Sequence, residues 1–231
     1  MNIDAVLQRA RELRKIDKHA EAVELLNEAL RETADVRLFH SRGITFEQMD
    51  QPDKAVDDIA SAILLDKTNP RYFFDRACIL ADPLKRHDEA VDDFEQAIQL
   101  QPDHVDAHRQ CSGSLLILGR PNRALEHAET ALKLAPNEAG THFFLGEAYI
   151  SLNRYKEAVA SLKRAVELDQ SKNYYFSALS RAIEYLGKQE KNKSGDIVVG
   201  EETGSQAFLA TILKLHHECL KKRNGSSGHK L

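Results

Sequence analysis

Residues Ala90–Pro102 read AVDDFEQAIQLQP, and this stretch decides the fold. Ala90, Phe94, Ala97 and Ile98 fall on one face of a helix, with acidic and amide side chains on the other. Pro102 then stops the helix, because its ring clashes with the preceding turn and it has no N–H to donate. The pattern returns at Ala22–Leu30 (AVELLNEAL), Ala55–Ile63 (AVDDIASAI), Ala124–Pro136 (ALEHAETALKLAP) and Ala158–Val166 (AVASLKRAV). One alanine ladder runs Ala22, Ala55, Ala90, Ala124, Ala158, and a second runs Ala29, Ala62, Ala97, Ala131, Ala165. Both step by 33, 35, 34 and 34 residues. Between the two alanines sits a larger side chain in four copies (Leu26, Ile59, Phe94, Leu162), with Ala128 the exception.

Upstream of each copy lies a second helical segment with a small residue at the matching position: Ala10, Gly43, Ala77, Ser112 and Gly146. A glycine inside a helix costs about 1 kcal/mol relative to alanine, so Gly43 and Gly146 imply a helix packed close against them. Turn signals such as Asp50-Gln51-Pro52 and Gly119-Arg120-Pro121 separate the two helices. In the third copy the connection Ala81–His87 is one residue longer, which accounts for the step of 35. The unit is therefore a helix–turn–helix repeated in tandem, in which each copy buries its apolar face against its neighbours.

The period and these residues resemble the tetratricopeptide repeat. The fifth copy is the fullest match, with Leu145-Gly146, Tyr149, Tyr155, Ala158, Leu162 and Ala165. The chain departs from the pattern in having no tryptophan, and in carrying His108 and His142 where an aromatic residue is common. The resemblance implies an all-α, right-handed α-solenoid. Its repeats are expected at 3–35, 36–69, 70–104, 105–138 and 139–172, with a half-repeat helix at 173–187. Residues 188–205 are polar and glycine-containing and read as a flexible loop. Residues 206–223 resume an amphipathic pattern (Phe208, Ile212, Leu215, Cys219) and are expected to form a C-terminal capping helix, followed by a disordered tail at 224–231.

Composition bounds the function. The net charge is −4 over 231 residues, with both signs interleaved, so no nucleic-acid footprint is present. No apolar run approaches the roughly eighteen residues that span a membrane. The N-terminal stretch MNIDAVLQRARELRK is charged throughout, unlike a secretory signal. The three cysteines, Cys78, Cys111 and Cys219, are odd in number and far apart, which favours a reducing compartment over a disulfide framework. A cytoplasmic location is expected.

No catalytic motif is present: there is no P-loop, GxSxG, HExxH or GxGxxG. Asp57-Asp58 and Asp92-Asp93 occupy matching places in two copies and read as a solvated outer face. His104, His108 and Cys111 have ligand-like spacing, but two of them take positions that pack between helices, so no metal and no cofactor is expected.

The better candidate surface is the concave wall that such repeats build from their first helices. The register places Arg11, Arg37, His40, Phe74, Arg109, Leu116 and Ile117 on it, then Phe143, Phe144, Glu147, Ile150, Tyr174 and Arg181. Leu7, Arg14, Ser41, Ile44 and Arg71 share the same wall. Arginines beside apolar side chains suit a peptide, since apolar pockets supply affinity and guanidiniums fix carboxylates. The expected function is a non-catalytic scaffold that holds a peptide or helix of a partner protein. The alternatives are a self-assembling homo-oligomer, joined through end faces or the C-terminal helix, and a metal-binding or enzymatic protein. Relatives that clamp the C-terminal carboxylate of chaperones use a Lys and an Asn, then an Asn, then a Lys and an Arg on three successive first helices. Here those places hold Leu7 and Arg11, Ser41, and Arg71 and Asp75, so no chaperone tail is expected to bind through such a clamp.

Overall fold

The computed structural model describes residues 2–194, which form eleven α-helices with no strand among them. The expected capping helix 206–223, the tail 224–231 and the part of the expected loop beyond residue 194 lie outside the described residues. The chain divides into two compact units, Met1–Leu118 and Gly119–Leu231. The first contains α1 (Ile3–Lys15), α2 (His19–Glu32), α3 (Val36–Gln48), α4 (Pro52–Leu65), α5 (Pro70–Ala81), α6 (His87–Leu100) and α7 (Val105–Ile117). The second contains α8 (Pro121–Leu134), α9 (Ala139–Ser151), α10 (Tyr155–Leu168) and α11 (Asn173–Ser194).

Odd and even helices start differently. Four of the odd ones carry a side-chain cap: Asn2 accepts from the Ala5 N–H, Asp35 from Arg37, Asn69 from Arg71 and His104 from Ala107. Such a cap satisfies an N–H that the helix leaves without a partner. No even helix has one. Each is entered instead through a tight turn with one residue at positive φ: Asp17, Asp50, Lys85, Gly119 and Asn153. These five positions repeat with the same steps as the alanine ladders, always five residues ahead. In three of the turns the next N–H reaches back five residues to a helix carbonyl, Lys18 to Leu13, Gln51 to Phe46 and Arg154 to Tyr149, each at 2.9 Å. That bond closes the last turn of the odd helix and reverses the chain.

The packing explains the ladders. All ten ladder alanines are fully buried, and so are Leu26, Ile59, Phe94 and Leu162 between them. The two helix glycines sit where the partner helix comes closest. A Cβ on Gly43 would lie 2.8 Å from Ile59 Cγ1 and 3.1 Å from the Ala55 carbonyl oxygen. A Cβ on Gly146 would lie 2.4 Å from Leu162 Cγ. The first unit builds apolar clusters around Leu13, Leu26 and Leu38 and around Ile59, Tyr72 and Phe73, and the second builds one around Leu162, Phe176 and Leu179.

Two features differ from the sequence expectation. Helix α11 passes through Gly187 and continues to Ser194, over residues expected to begin a loop. A single glycine costs only about 1 kcal/mol. Past it the helix is held by Lys188–Glu184 at 2.6 Å and by Gln189 Nε2 donating to the Asn153 carbonyl at 3.3 Å. The second difference is in the acidic pairs. Asp57 and Asp92 are exposed, but Asp58 and Asp93 are buried rather than solvated. Arg42 Nε and Nη2 donate to Asp58 at 2.7 and 2.6 Å, and Arg76 Nε and Nη2 to Asp93 at 2.6 and 2.7 Å. Both are fork-on-fork pairs, joining an odd helix to the even helix that follows. The Arg42 guanidinium also reaches Asn27 Oδ1 at 2.6 Å, which ties α2 to the same pair.

Candidate functional site

In the first unit, α1, α3 and α5 lie side by side and line a pocket of about 380 Å³. Helix α1 contributes Leu7, Arg11 and Arg14, and α3 contributes Arg37, His40, Ser41 and Ile44. The start of α5 adds Arg71 and Tyr72, with its cap Asn69. The register identified Arg11, Arg37 and His40 and brought their neighbours along. Asn69 and Tyr72 were missed. The Asn-Pro at the α5 start was their signal, because a capped N-terminus points its first turn into the same space.

The charges in this pocket are unevenly satisfied. Arg37 is held by Asp4 at 2.8 Å and by Asp35 at 3.0 Å, and its guanidinium keeps the Asp35 carboxyl below the usual range. Asp75 Oδ2 accepts from His40 Nε2 at 2.7 Å and from Arg71 Nε at 3.2 Å. His40 also packs on the Tyr72 ring, with centroids 4.9 Å apart. Arg14 has no carboxylate among the described residues. Its Nη1 donates to Ser41 Oγ at 2.9 Å, Thr45 Oγ1 at 3.1 Å and the Ser41 carbonyl at 3.2 Å. Burial and then the nearby Arg11 charge hold its pKa below the ordinary arginine value.

Deeper along α5 the field reverses. Burial first, then Asp75, Glu47 and Asp106, push the Cys78 thiol up to about 12. At pH 8 its thiolate is then about one part in ten thousand. Cys78 is expected to resist alkylation at pH 8 in the folded protein and to react once unfolded. Mass mapping of iodoacetamide-treated peptides, with and without denaturant, checks this.

The other residues of the first unit assigned to the wall do not line this pocket. Phe74 stacks on His104 at 4.6 Å and on Phe94 at 5.9 Å, as part of the apolar packing. Arg109 pairs with Asp106, one helical turn away. Leu116 is half-buried, while Ile117 is 67% exposed. The imidazoles of the candidate metal trio are otherwise engaged: His104 caps α7, and His108 is buried with Nε2 3.1 Å from the Pro102 carbonyl.

In the second unit Phe143, Phe144, Tyr174 and Tyr175 form a four-ring cluster. Phe143 meets Phe144, Tyr174 and Tyr175 with centroids 5.1–5.3 Å apart. Phe143 and Ile150 pack on the core, so they join α9 to its neighbours. Tyr174 is 51% exposed and is the accessible member of the cluster. Glu147 accepts from Arg181 Nη2 at 2.5 and 2.6 Å, which ties α9 to α11.

Tandem helical hairpins with a small residue at each closest contact define a helical-repeat interaction protein. Tetratricopeptide-repeat family models match residues 70–104 and 115–182. These matches and the helical-hairpin fold support a tetratricopeptide-repeat family protein. It is 30% identical to tetratricopeptide repeat protein 13 of Homo sapiens over 155 residues, 64% of this chain and 18% of that protein. It spans about a sixth to two fifths of the length of the curated relatives it matches. Among solved structures its fold is similar to that of MamA (TM-score 0.66, 20% identity, 72% of this chain and 97% of that chain). It is also similar to YrrB, a tetratricopeptide-repeat protein with an unusual peptide-binding site (TM-score 0.66, 17% identity, 75% of this chain and 89% of that chain). No helix among the described residues is long and apolar enough to cross a membrane.

Proposed function

We propose that this chain is a non-catalytic, cytoplasmic scaffold that holds a peptide or helix of a partner protein against its odd helices. The observation that carries this reading is the pocket shared by α1, α3 and α5. Three successive hairpins contribute side chains to one concavity, which arginines and His40 line together with Leu7, Ile44 and Tyr72. Apolar contacts of this kind supply affinity, and the guanidiniums fix orientation. The similar fold of YrrB, which has an unusual peptide-binding site, supports the same reading. In the second unit Tyr174 and Phe144 are the matching anchors, whereas Phe143, Ile150 and the Glu147–Arg181 pair serve the packing of α9.

The test is selection of random peptides on the immobilised full chain. Recovered peptides are expected to protect α1, α3 and α5 from hydrogen exchange. Their affinity should drop about tenfold in Arg71→Glu, because the side chain is 72% exposed and its reversal repels acidic ligands without opening the core. Recovery of no specific peptide, or of peptides indifferent to that substitution, would sink the reading.

A further inference from the structure

We propose that the seat between Arg11 and Arg14 takes the phosphate of a phosphorylated serine or threonine in the bound segment. This rests on the peptide-binding reading and specifies its chemistry. Of the four guanidiniums around the pocket, Arg37 and Arg71 already have carboxylates on them. Among the described residues Arg11 meets only the Gln8 amide oxygen, at 3.5 Å, and Arg14 meets only neutral oxygens. Among the described residues every hydrogen bond of Arg14 leaves from Nη1, so Nε and Nη2 are not engaged. Two adjacent like charges, one of them half-buried, are costly until an anion joins them.

The charge count selects the anion. One carboxylate brings a single charge on two coplanar oxygens. A phosphorylated side chain brings about −1.5 to −2 on three oxygens and can bridge two guanidiniums at once. The pocket volume of about 380 Å³ admits such a side chain with flanking backbone, and Ile44 and Leu7 offer the neighbouring residue an apolar wall. The neighbouring carboxylates Asp4, Asp35 and Asp75 are engaged by Arg37, Arg71 or His40, and none of them bonds Arg11 or Arg14.

The experiment uses three fluorescent nonapeptides of one sequence, acetylated and amidated so that no terminal carboxylate is present. The central residue is phosphoserine, glutamate or serine, and binding to the full chain is read by anisotropy. The phosphoserine peptide should bind about tenfold more tightly than the glutamate peptide, and the serine peptide more weakly still. Arg11→Ala should erase that preference while leaving the melting curve in place, and Arg9→Ala, whose partner is Glu12, should leave the preference intact. Arg14→Lys keeps the charge and loses the fork, so it should reduce the preference without abolishing it. Equal binding of the phosphoserine and glutamate peptides overturns the proposal, as does a phosphoserine preference that survives Arg11→Ala. Tighter binding of the serine peptide with a free C-terminal carboxylate also overturns it, by making the seat one for chain ends. If selected unmodified peptides bind while phosphorylation adds nothing, the seat falls and the peptide-binding reading stands.

Discussion

Asp93→Ala is expected to destabilise the first unit by about 3–5 kcal/mol, the cost of leaving a buried charge without its partner. The Asp93 side chain is 8% exposed and that of Arg76 is 23% exposed, so the guanidinium left behind is only partly hydrated. The two bonds, at 2.6 and 2.7 Å, link α5 to α6. The pair itself is worth much less than its rupture. Two desolvated ions gain attraction that barely offsets their lost hydration, and an apolar pair of similar volume can do as well. The double variant Arg76→Met/Asp93→Leu should therefore recover most of the loss. Hydrogen exchange of α5 and α6 is the appropriate measurement, because repeats open locally rather than in one step. An Asp93→Ala protein with unchanged protection would mean that Arg76 finds water or another acceptor at no cost.

This pair also shows where sequence reading reached its limit. Asp58 and Asp93 each lie three residues after a ladder alanine, and Arg42 and Arg76 each precede the small residue of an odd helix. The spacing was visible, but helical periodicity places both acids of each doublet near the boundary of the polar face. Only the partner arginine decides which one turns in. The same ambiguity holds for aromatic residues. Phe74 and Phe143 sit at the edge between wall and core, and ring stacking on His104 and on Tyr174 and Tyr175 draws them into the packing. The repeat itself was fully legible, since both ladders, the helix glycines and the turn residues obey one period. The arginine-lined pocket was legible as a set of positions. Which guanidiniums remain available was not, because that depends on carboxylates such as Asp4 and Asp75, on other hairpins, 33 residues before Arg37 and 35 after His40.

The close approach of α9 and α10 at Gly146 gives the most discriminating test of the ladder reading. Leu162→Ala removes a fully buried side chain and should cost about 2–5 kcal/mol. Gly146→Ala adds one methyl, yet that methyl would lie 2.4 Å from Leu162 Cγ, so α9 must move off α10. The overpacking should cost about 1–3 kcal/mol, outweighing the roughly 1 kcal/mol that alanine gains over glycine in a helix. In Gly146→Ala/Leu162→Ala the obstacle is gone. The new methyl then fills part of the cavity, and the helix-propensity gain is realised in full. The double variant should therefore be more stable than the sum of the singles by more than about 1 kcal/mol, the range expected for residues in direct contact. Thermal or urea unfolding followed by circular dichroism measures all four corners of the cycle. Additive losses would mean that Gly146 is small for a reason other than Leu162, and the close approach of α9 and α10 would no longer explain why the second helix glycine is there.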